Sequence, residues 1–326
     1  MHAAVETQLL SAQSPRDLDT AADLLRRGGL VAFPTETVYG LGALALEPLA
    51  VRAVYAAKGR AATNPLIVHV LGEDDARPLC ARWPIEAQEL ATRFWPGPLT
   101  IVVPRTDRVP DEVTGGGPTV AVRAPSHPAA RKLLARVGAP LAAPSANRSE
   151  HVSPTTARHV LRDLNGRIDA VVDGGRCPVG IESTVVALTA SGPRLLRAGA
   201  VSRAQLEELL GEVPDASTSA AVPASPGQGK RHYAPAALVR LAAAPSLPRV
   251  AADLPSPVGA LIRSDVALPD TVSSLRLPSD PTGYARDLYA AMRDLEDRGC
   301  TSICIESVPQ TPEWDAIRDR LTRAAG

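Results

Sequence analysis

Two cations stand at one glycine turn of this chain, Lys58-Gly59-Arg60, and Asn64-Pro65 leads from there into the apolar run Leu66 to Val70, which carries His69 inside it. An ammonium and a guanidinium at such a turn are the groups that clamp an anion. Cations at a helix end are also favoured by the helix dipole alone, and a histidine between valines reads equally well as a core residue. Four further stretches carry similar chemistry. "PTETVYGLG" offers the hydroxyls of Thr35, Thr37 and Tyr39 at the end of an apolar strand, with glycines that let a ligand approach the backbone. Arg123 in "VAVRAPSHP" ends a strand against Pro125. "APSANRSEHVSPT" sets Ser145, Asn147 and Ser153 in an uncharged polar loop. "GIESTVV" and "LLRAG" place Ser183, Thr184 and Arg197 at strand ends. Taken singly, each is also an ordinary turn, cap or edge residue. Together they repeat one theme: hydroxyls, amides and cations at strand ends, with no carboxylate pair and no thiol or serine nucleophile arranged with a base. That pattern fits a site that binds polyanions and leaves the nucleophile to the substrate.

The standard nucleotide and hydrolase templates are absent. Gly175 and Gly180 are spaced as in a phosphate-binding loop, but Ile181-Glu182 stands where Lys-Ser or Lys-Thr belongs, and Gly40-Leu41-Gly42 lacks the third glycine of a dinucleotide fingerprint. There is no HExxH and no GxSxG. Cys80, Cys177, Cys300 and Cys304 form no CxxC pair, and no histidine lies at zinc-finger spacing from them. Scattered thiols of this kind suit a reducing cytosol. Arginine dominates the cations, and the only lysines are Lys58, Lys132 and Lys230. Lys is retained where a compact point charge is required, because the exchange with Arg is not neutral there, which marks Lys58.

The elements that must position these residues alternate between strand and helix. Ser14-Pro15 opens a helix to about Arg27, stopped by Gly28-Gly29. "LVAF" starts a strand that passes through Pro34 into a polar turn reaching Gly40 and Gly42. "PLAVRAVYAAK" is helical and ends at the Lys58 turn, and "PLIVHVL" is the next strand. The helices "IEAQELATRFW" and "HPAARKLLARVG" flank the strands "LTIVVP" and "TVAVRAP", and "PLAAPSAN" is a short strand entering a loop. Ser153-Pro154 reads as the cap of the helix "TTARHVLRDLNG"; the strands "IDAVVDGG", "STVVALT" and "PRLLRAG" follow, and Ser202 with Gln205 forms a capping box for "RAQLEELLG".

The 326 residues suggest about two domains. Residues 212–236, rich in Pro, Ser, Ala and Gly without a period, read as a linker between a domain at 1–211 and a small open α/β layer at 237–326. The layer carries strands near 237–243, 258–263 and 272–277, a helix at about 281–298, the strand "TSICIES" and the helix "EWDAIRDRLTRA". Net charge is +0, so no overall basic field draws nucleic acid. No apolar run reaches the ~18–20 residues of a membrane span, and the N-terminus has no cationic start followed by an apolar core, so no signal peptide is expected.

In their order, "GGLVAFPTETVYGLGALA", "KGRAATNPLIVHV", "FWPGPLTIVV", "VAVRAPSHP", "APSANRSEHVSPT", "DGGRCPVGIESTVV" and "LLRAGAVS" resemble the YrdC-like fold of the threonylcarbamoyl-AMP synthases, over about residues 15 to 211. "PGQGKRHYAP" looks like the linker motif of the long, two-domain form. Ala61 and Thr63 depart from the family's common Pro and acidic or polar residue. The resemblance implies an α/β fold: a twisted mixed sheet with flanking helices and a concave cationic site, plus a small Rossmann-like domain. It implies a nucleotidyltransferase that makes threonylcarbamoyl-AMP and pyrophosphate from L-threonine, bicarbonate and ATP, for threonylcarbamoyl modification of tRNA. Phosphate-held Mg2+, a cytoplasmic location and a downstream threonylcarbamoyl transferase follow from it; no stable nucleic-acid complex is required.

By the same resemblance Lys58 and Arg60 become the catalytic phosphate clamp, with Arg197 on the nucleotide side. Thr35, Thr37, Tyr39, His69, Arg123, Ser145 and Ser183 become threonine-pocket candidates. Asn64, Asn147, Ser153 and, from a linker closing as a lid, Tyr233 with Lys230 or Arg231 turn to ATP. Two other readings stay open. One is a double-stranded RNA or tRNA-binding module without catalysis, which the balanced charge and 3% aromatic content disfavour. The other is a carbamoyl-transfer enzyme of hydrogenase maturation, which would add CxxC clusters that this chain lacks.

Overall fold

Side chains alternate faces along a strand, and four neighbouring strands of this chain sort their residues cleanly by parity. Val68, Val120, Val122, Leu99, Ile101 and Val186 join the main core. The intervening Ile67, Ala121, Val102, Val185 and Ala187 form a small cluster on the opposite face. His69, Arg123, Thr100 and Ser183 share the parity of that second face. Across these four strands one face of the sheet holds the main core and the other carries the polar candidates on a floor of small apolar side chains; under the neighbouring strands that second face packs a further core with Val31, Phe33, Leu141 and Val172.

The structure, a computed structural model, describes residues 6–216 and 233–326. In chain order the strands are β1 (Gln8–Ser11), β2 (Val31–Pro34), β3 (Tyr39–Leu44), β4 (Ile67–His69), β5 (Leu99–Pro104), β6 (Thr119–Arg123), β7 (Leu141–Ala142), β8 (Ala170–Asp173), β9 (Thr184–Thr189), β10 (Gly192–Arg197), β11 (Leu238–Ala242), β12 (Val258–Ile262), β13 (Ser273–Arg276) and β14 (Ser302–Glu306). The first ten form one mixed sheet, ordered β1-β8-β2-β3-β7-β4-β6-β5-β9-β10. β4 and β6 are parallel with His69 opposite Arg123, and β5 and β9 are parallel with Leu99 opposite Thr184. The mixed α/β architecture with flanking helices and a second, smaller parallel sheet is the one the resemblance implies.

The described chain divides into two compact units, one of residues 6–149, 154–178 and 182–216, the other of 150–153, 179–181 and 233–326. In the first, helix Pro15–Arg26 starts at Ser14, whose hydroxyl accepts from Asp17 N at 3.2 Å, and helix Arg203–Leu210 has the Ser202–Gln205 capping box. Helix Pro48–Lys58 ends at Gly59 in the left-handed conformation, φ 63°, which fixes Lys58 as its last residue. Past Arg203–Leu210 the chain runs along β10: Leu195 N donates to Pro214 O and Ala216 N to Leu195 O, both at 2.9 Å.

Two local expectations are corrected and one strand is added. The polar turn read as reaching Gly40 and Gly42 gives way at Tyr39 to strand β3, paired antiparallel with β2. Its glycines serve packing, since a Cβ on Gly42 would stand 2.7 Å from the Phe33 ring. Ser153-Pro154 caps no helix; Thr156 does, its hydroxyl accepting from His159 N at 3.3 Å, and the helix is Ala157–Leu164. β1, too short for a period, escaped the sequence reading.

The second unit is a parallel sheet, ordered β11-β14-β12-β13, with helices Pro281–Asp297 and Asp315–Ala325. Its interior holds Tyr233 stacked on Tyr289 at 6.0 Å and lying under the Arg320 guanidinium at 5.0 Å. Gly180 (φ +83°) belongs here too: a Cβ would strike the Arg286 backbone at 2.4 Å, so this glycine answers a packing demand and no phosphate loop. All four cysteines are buried and free.

Candidate active site

Helix Pro48–Lys58 delivers Lys58 into the interior, 2% exposed. Its Nζ donates to Ser145 O and Asn147 O, each at 2.5 Å, and lies 3.5 Å from Asn147 Oδ1. Burial, then the like charge of Arg60, pushes the amine well below its ordinary pKa, and Asp163 opposes this. Ser149 N returns a hydrogen bond to Lys58 O at 2.9 Å. The end of the helix and the loop 145–149 thus form one body, and the "APSANRS" loop takes its shape around an ammonium group.

The following loop folds on itself. Arg60 Nη2 donates to Pro65 O at 3.1 Å, and Arg60 Nε lies 3.4 Å from Asn64 O. Tyr55 OH reaches Asn64 O at 3.0 Å and Glu112 O at 2.8 Å, bracing the loop from the helix behind it. Gly115 touches it from the other side. A Cβ there would stand 2.5 Å from Thr63 O, on a residue at φ +62°. Gly115→Ala therefore meets a left-handed strain of about 1–2 kcal/mol as well as a collision. A melting temperature lowered by about 2–8 °C and a several-fold higher KM for ATP are expected, read by thermal denaturation and steady-state kinetics.

On the polar face, Arg123 Nη2 donates to Glu36 Oε1 at 2.7 Å, a buried ion pair with side chains 4% and 7% exposed. Ser126 N donates to the other Glu36 oxygen at 3.0 Å. Burial alone would raise the Glu36 pKa, but the Arg123 charge and these hydrogen bonds outweigh it and the carboxyl is held low. His69 is buried with its ring edge on Phe33. Its Nδ1 lies 3.3 Å from Ile67 O, an acceptor, which selects the Nδ1–H tautomer. Burial, then Arg123, pushes its pKa down to about 3, so the ring is neutral.

At the end of β10, Arg197 Nε and Nη2 donate to Ser183 O and Oγ, both at 3.0 Å, and Ser183 Oγ lies 2.8 Å from Thr100 Oγ1. Thr35 and Thr37 sit in the turn after β2, hydroxyls 2.8 Å apart, with Thr35 Oγ1 donating to Val38 O at 2.6 Å.

The structure thus brings together Lys58, Ser145 and Asn147; Arg60 and Asn64; His69 with Arg123; and Ser183 with Arg197. Tyr39 points its OH at Gly175 O, 2.8 Å away, and burial raises its pKa. Ser153 is buried in the segment grouped with the second unit, as is Tyr233. Lys230 and Arg231 lie outside the described residues, as does most of the proposed lid. Sequence reasoning missed Glu36, Thr100 and the buried Glu182. The signal for Glu36 was a charged residue between two hydroxyls at the end of an apolar strand.

Comparison with known proteins gives this geometry a context. Residues 23–199 match the Sua5/YciO/YrdC family, described as telomere recombination, and residues 201–326 match the threonylcarbamoyl-AMP synthase C-terminal domain. The chain is 41% identical to the threonylcarbamoyl-AMP synthase of Pyrococcus abyssi, covering 94% of this chain and 93% of that protein. It is also 41% identical to that of Bacillus subtilis, covering 98% and 96%. A crystal structure of P. abyssi Sua5 complexed with L-threonine superposes with a TM-score of 0.90 at 38% identity, covering 98% of this chain and 97% of the other. With both of its parts matched in order and along nearly its whole length, the chain belongs to the threonylcarbamoyl-AMP synthase family.

Proposed function

We infer that this chain is an L-threonylcarbamoyladenylate synthase, converting L-threonine, bicarbonate and ATP to threonylcarbamoyl-AMP and pyrophosphate. The observation that carries the reading is the burial of four cations, Lys58, Arg60, Arg123 and Arg197, in the first unit, where the hydroxyls of Thr35, Thr37 and Ser183 meet hydroxyls, a carbonyl or a guanidinium. Similarity to the P. abyssi protein, solved with L-threonine, supports the choice of amino acid. In this reading the threonine amine and bicarbonate condense by way of CO2 to a carbamate, the amine proton leaving with the bicarbonate hydroxyl as water, and the carbamate oxygen attacks the ATP α-phosphorus in line as pyrophosphate leaves. The substrate brings its own nucleophile, so the protein contributes positioning and charge neutralisation.

Lys58 and Arg60 serve the phosphates and Arg197 the nucleotide side; Asn64, Asn147 and Ser153 lean to the nucleotide. Arg123 receives the threonine carboxylate, and Thr35, Thr37, His69, Ser145 and Ser183 shape the amino-acid pocket. Mg2+ travels with the ATP phosphates, whose oxygens and water are its usual ligands. Among the described residues no group of three or more His, Cys, Asp or Glu stands ready to hold an ion. Residues 1–211 act as the catalytic domain, 212–236 as the linker and 237–326 as the C-terminal domain. The product passes to a threonylcarbamoyl transferase and then to tRNA. We place the protein in the cytoplasm; no described helix is long and apolar enough to cross a membrane.

The test is incubation with labelled ATP, bicarbonate and Mg2+, with and without L-threonine. Pyrophosphate that depends on both threonine and bicarbonate, with a labile threonylcarbamoyl adenylate, is expected. No turnover, with tight salt-sensitive RNA binding instead, would overturn the reading.

A further inference from the structure

We propose that Glu36 is a positioning residue, whose carboxylate aims the Arg123 guanidinium at the carboxylate of the amino-acid substrate; this rests on the function proposed above. The turn that carries Glu36 uses its two threonines internally. Thr35 Oγ1 donates to Val38 O at 2.6 Å and accepts from Thr37 N at 3.2 Å. Glu36 alone reaches across, and each of its oxygens takes a donor from a different point: Arg123 Nη2 at the end of β6, and Ser126 N in the loop beyond. One carboxylate therefore joins the end of β2, the end of β6 and the start of the next loop.

The arrangement leaves Arg123 half used. Nη2 is held by Glu36 and Nε lies 3.3 Å from Gly97 O, while Nη1 meets no acceptor among the described residues. A carboxylate is the ligand that the free edge of a guanidinium matches. Glu36 also compensates a charge that is 4% exposed, so the guanidinium stays in place in a poorly solvated site before any ligand arrives. His69 stands opposite Arg123 in the strand register and is neutral, so it supplies no competing charge. A preorganised receptor of this kind lowers the cost of ordering on binding.

A purely structural pair would stitch the turn to β6 and affect all substrates alike. The distinguishing experiment measures KM for L-threonine and for ATP in Glu36→Gln, Arg123→Lys and the double variant, with thermal denaturation alongside. Gln keeps the shape but offers only one acceptor oxygen, so it cannot serve Arg123 and Ser126 N together. Glu36→Gln is expected to raise the threonine KM by about 10-fold, leave the ATP KM within about 2-fold, and add little to the effect of Arg123→Lys in the double variant. Glu36→Asp, which keeps the charge on a shorter arm, is expected to give a smaller shift of the same kind. It carries the test if the Gln protein does not fold. An unchanged threonine KM, or threonine and ATP constants rising together, in the folded variant overturns the proposal while the synthase reading stands. A wild type without threonine-dependent pyrophosphate release overturns both.

Discussion

Lys58→Met lowers threonine-dependent pyrophosphate release by about 1000-fold, roughly 4 kcal/mol of transition-state stabilisation. The size of the effect follows from where the ammonium sits. It is buried and donates to two backbone carbonyls of the 145–147 loop, with Asn147 Oδ1 within 3.5 Å. Removing it leaves those carbonyls without their donor, at about 1–3 kcal/mol for each buried group left unmade. The loop that carries Ser145 and Asn147 then loses its template, and a buried amine held against it goes too. Lys58→Arg is not expected to rescue activity, because a planar fork cannot converge on acceptors arranged around a point charge. Pyrophosphate release, a thermal melt, and binding of adenosine against ATP separate the contributions. A loss confined to ATP assigns Lys58 to the phosphates; an equal loss for both ligands assigns it to the shape of the loop. Activity within tenfold of the wild type in a folded Lys58→Met protein would sink the assignment to the active centre.

Much of this arrangement was legible in the sequence, and the reasons are local. Helix Pro48–Lys58 declares itself by Pro at its first turn and by the glycine after its last residue. Helix Arg203–Leu210 does so by its capping box. The buried strands β5, β6 and β9 announce themselves as apolar runs. What stayed hidden depends on partners distant in the chain. β3 looked like a turn because its glycines are spent against Phe33, which only the pairing with β2 reveals. Ser153 and Thr156 are both competent caps by residue type, and the structure uses Thr156 while Ser153 is buried. The Glu36–Arg123 pair joins residues 87 positions apart, so no spacing rule could find it. Lys58 was visible as a cation at a turn, but its burial, and the carbonyls that surround it, come from a loop 87 and 89 residues further on.

Between pH 7 and pH 5 the wild-type protein loses about 2 kcal/mol of unfolding free energy through His69 alone, and His69→Gln abolishes that part of the slope. The folded pKa is about 3, against an unfolded value of about 6.5. Between those values the unfolded chain binds one proton more than the folded one, so stability rises with pH and is lost as pH falls, at most about 1.4 kcal/mol per unit. The contribution is full above about pH 6.5 and is gone once pH drops through the folded pKa. Two neighbours act in the same sense. His127 is also lowered by burial, so the comparison must be wild type against His69→Gln rather than wild type alone. Glu36, held low by Arg123, gives stability that is lost only below the ordinary carboxylate range, outside the window. Urea unfolding at pH 7, 6 and 5 makes the measurement; parallel slopes in the two proteins would show that His69 is not buried neutral. The outcome bears on the chemistry. A neutral ring with its proton on Nδ1, pointed at Ile67 O, keeps a lone pair on Nε2 and adds no charge beside Arg123. The positive charge on that face then rests on Arg123, whose buried partner Glu36 is held in its charged form by that guanidinium.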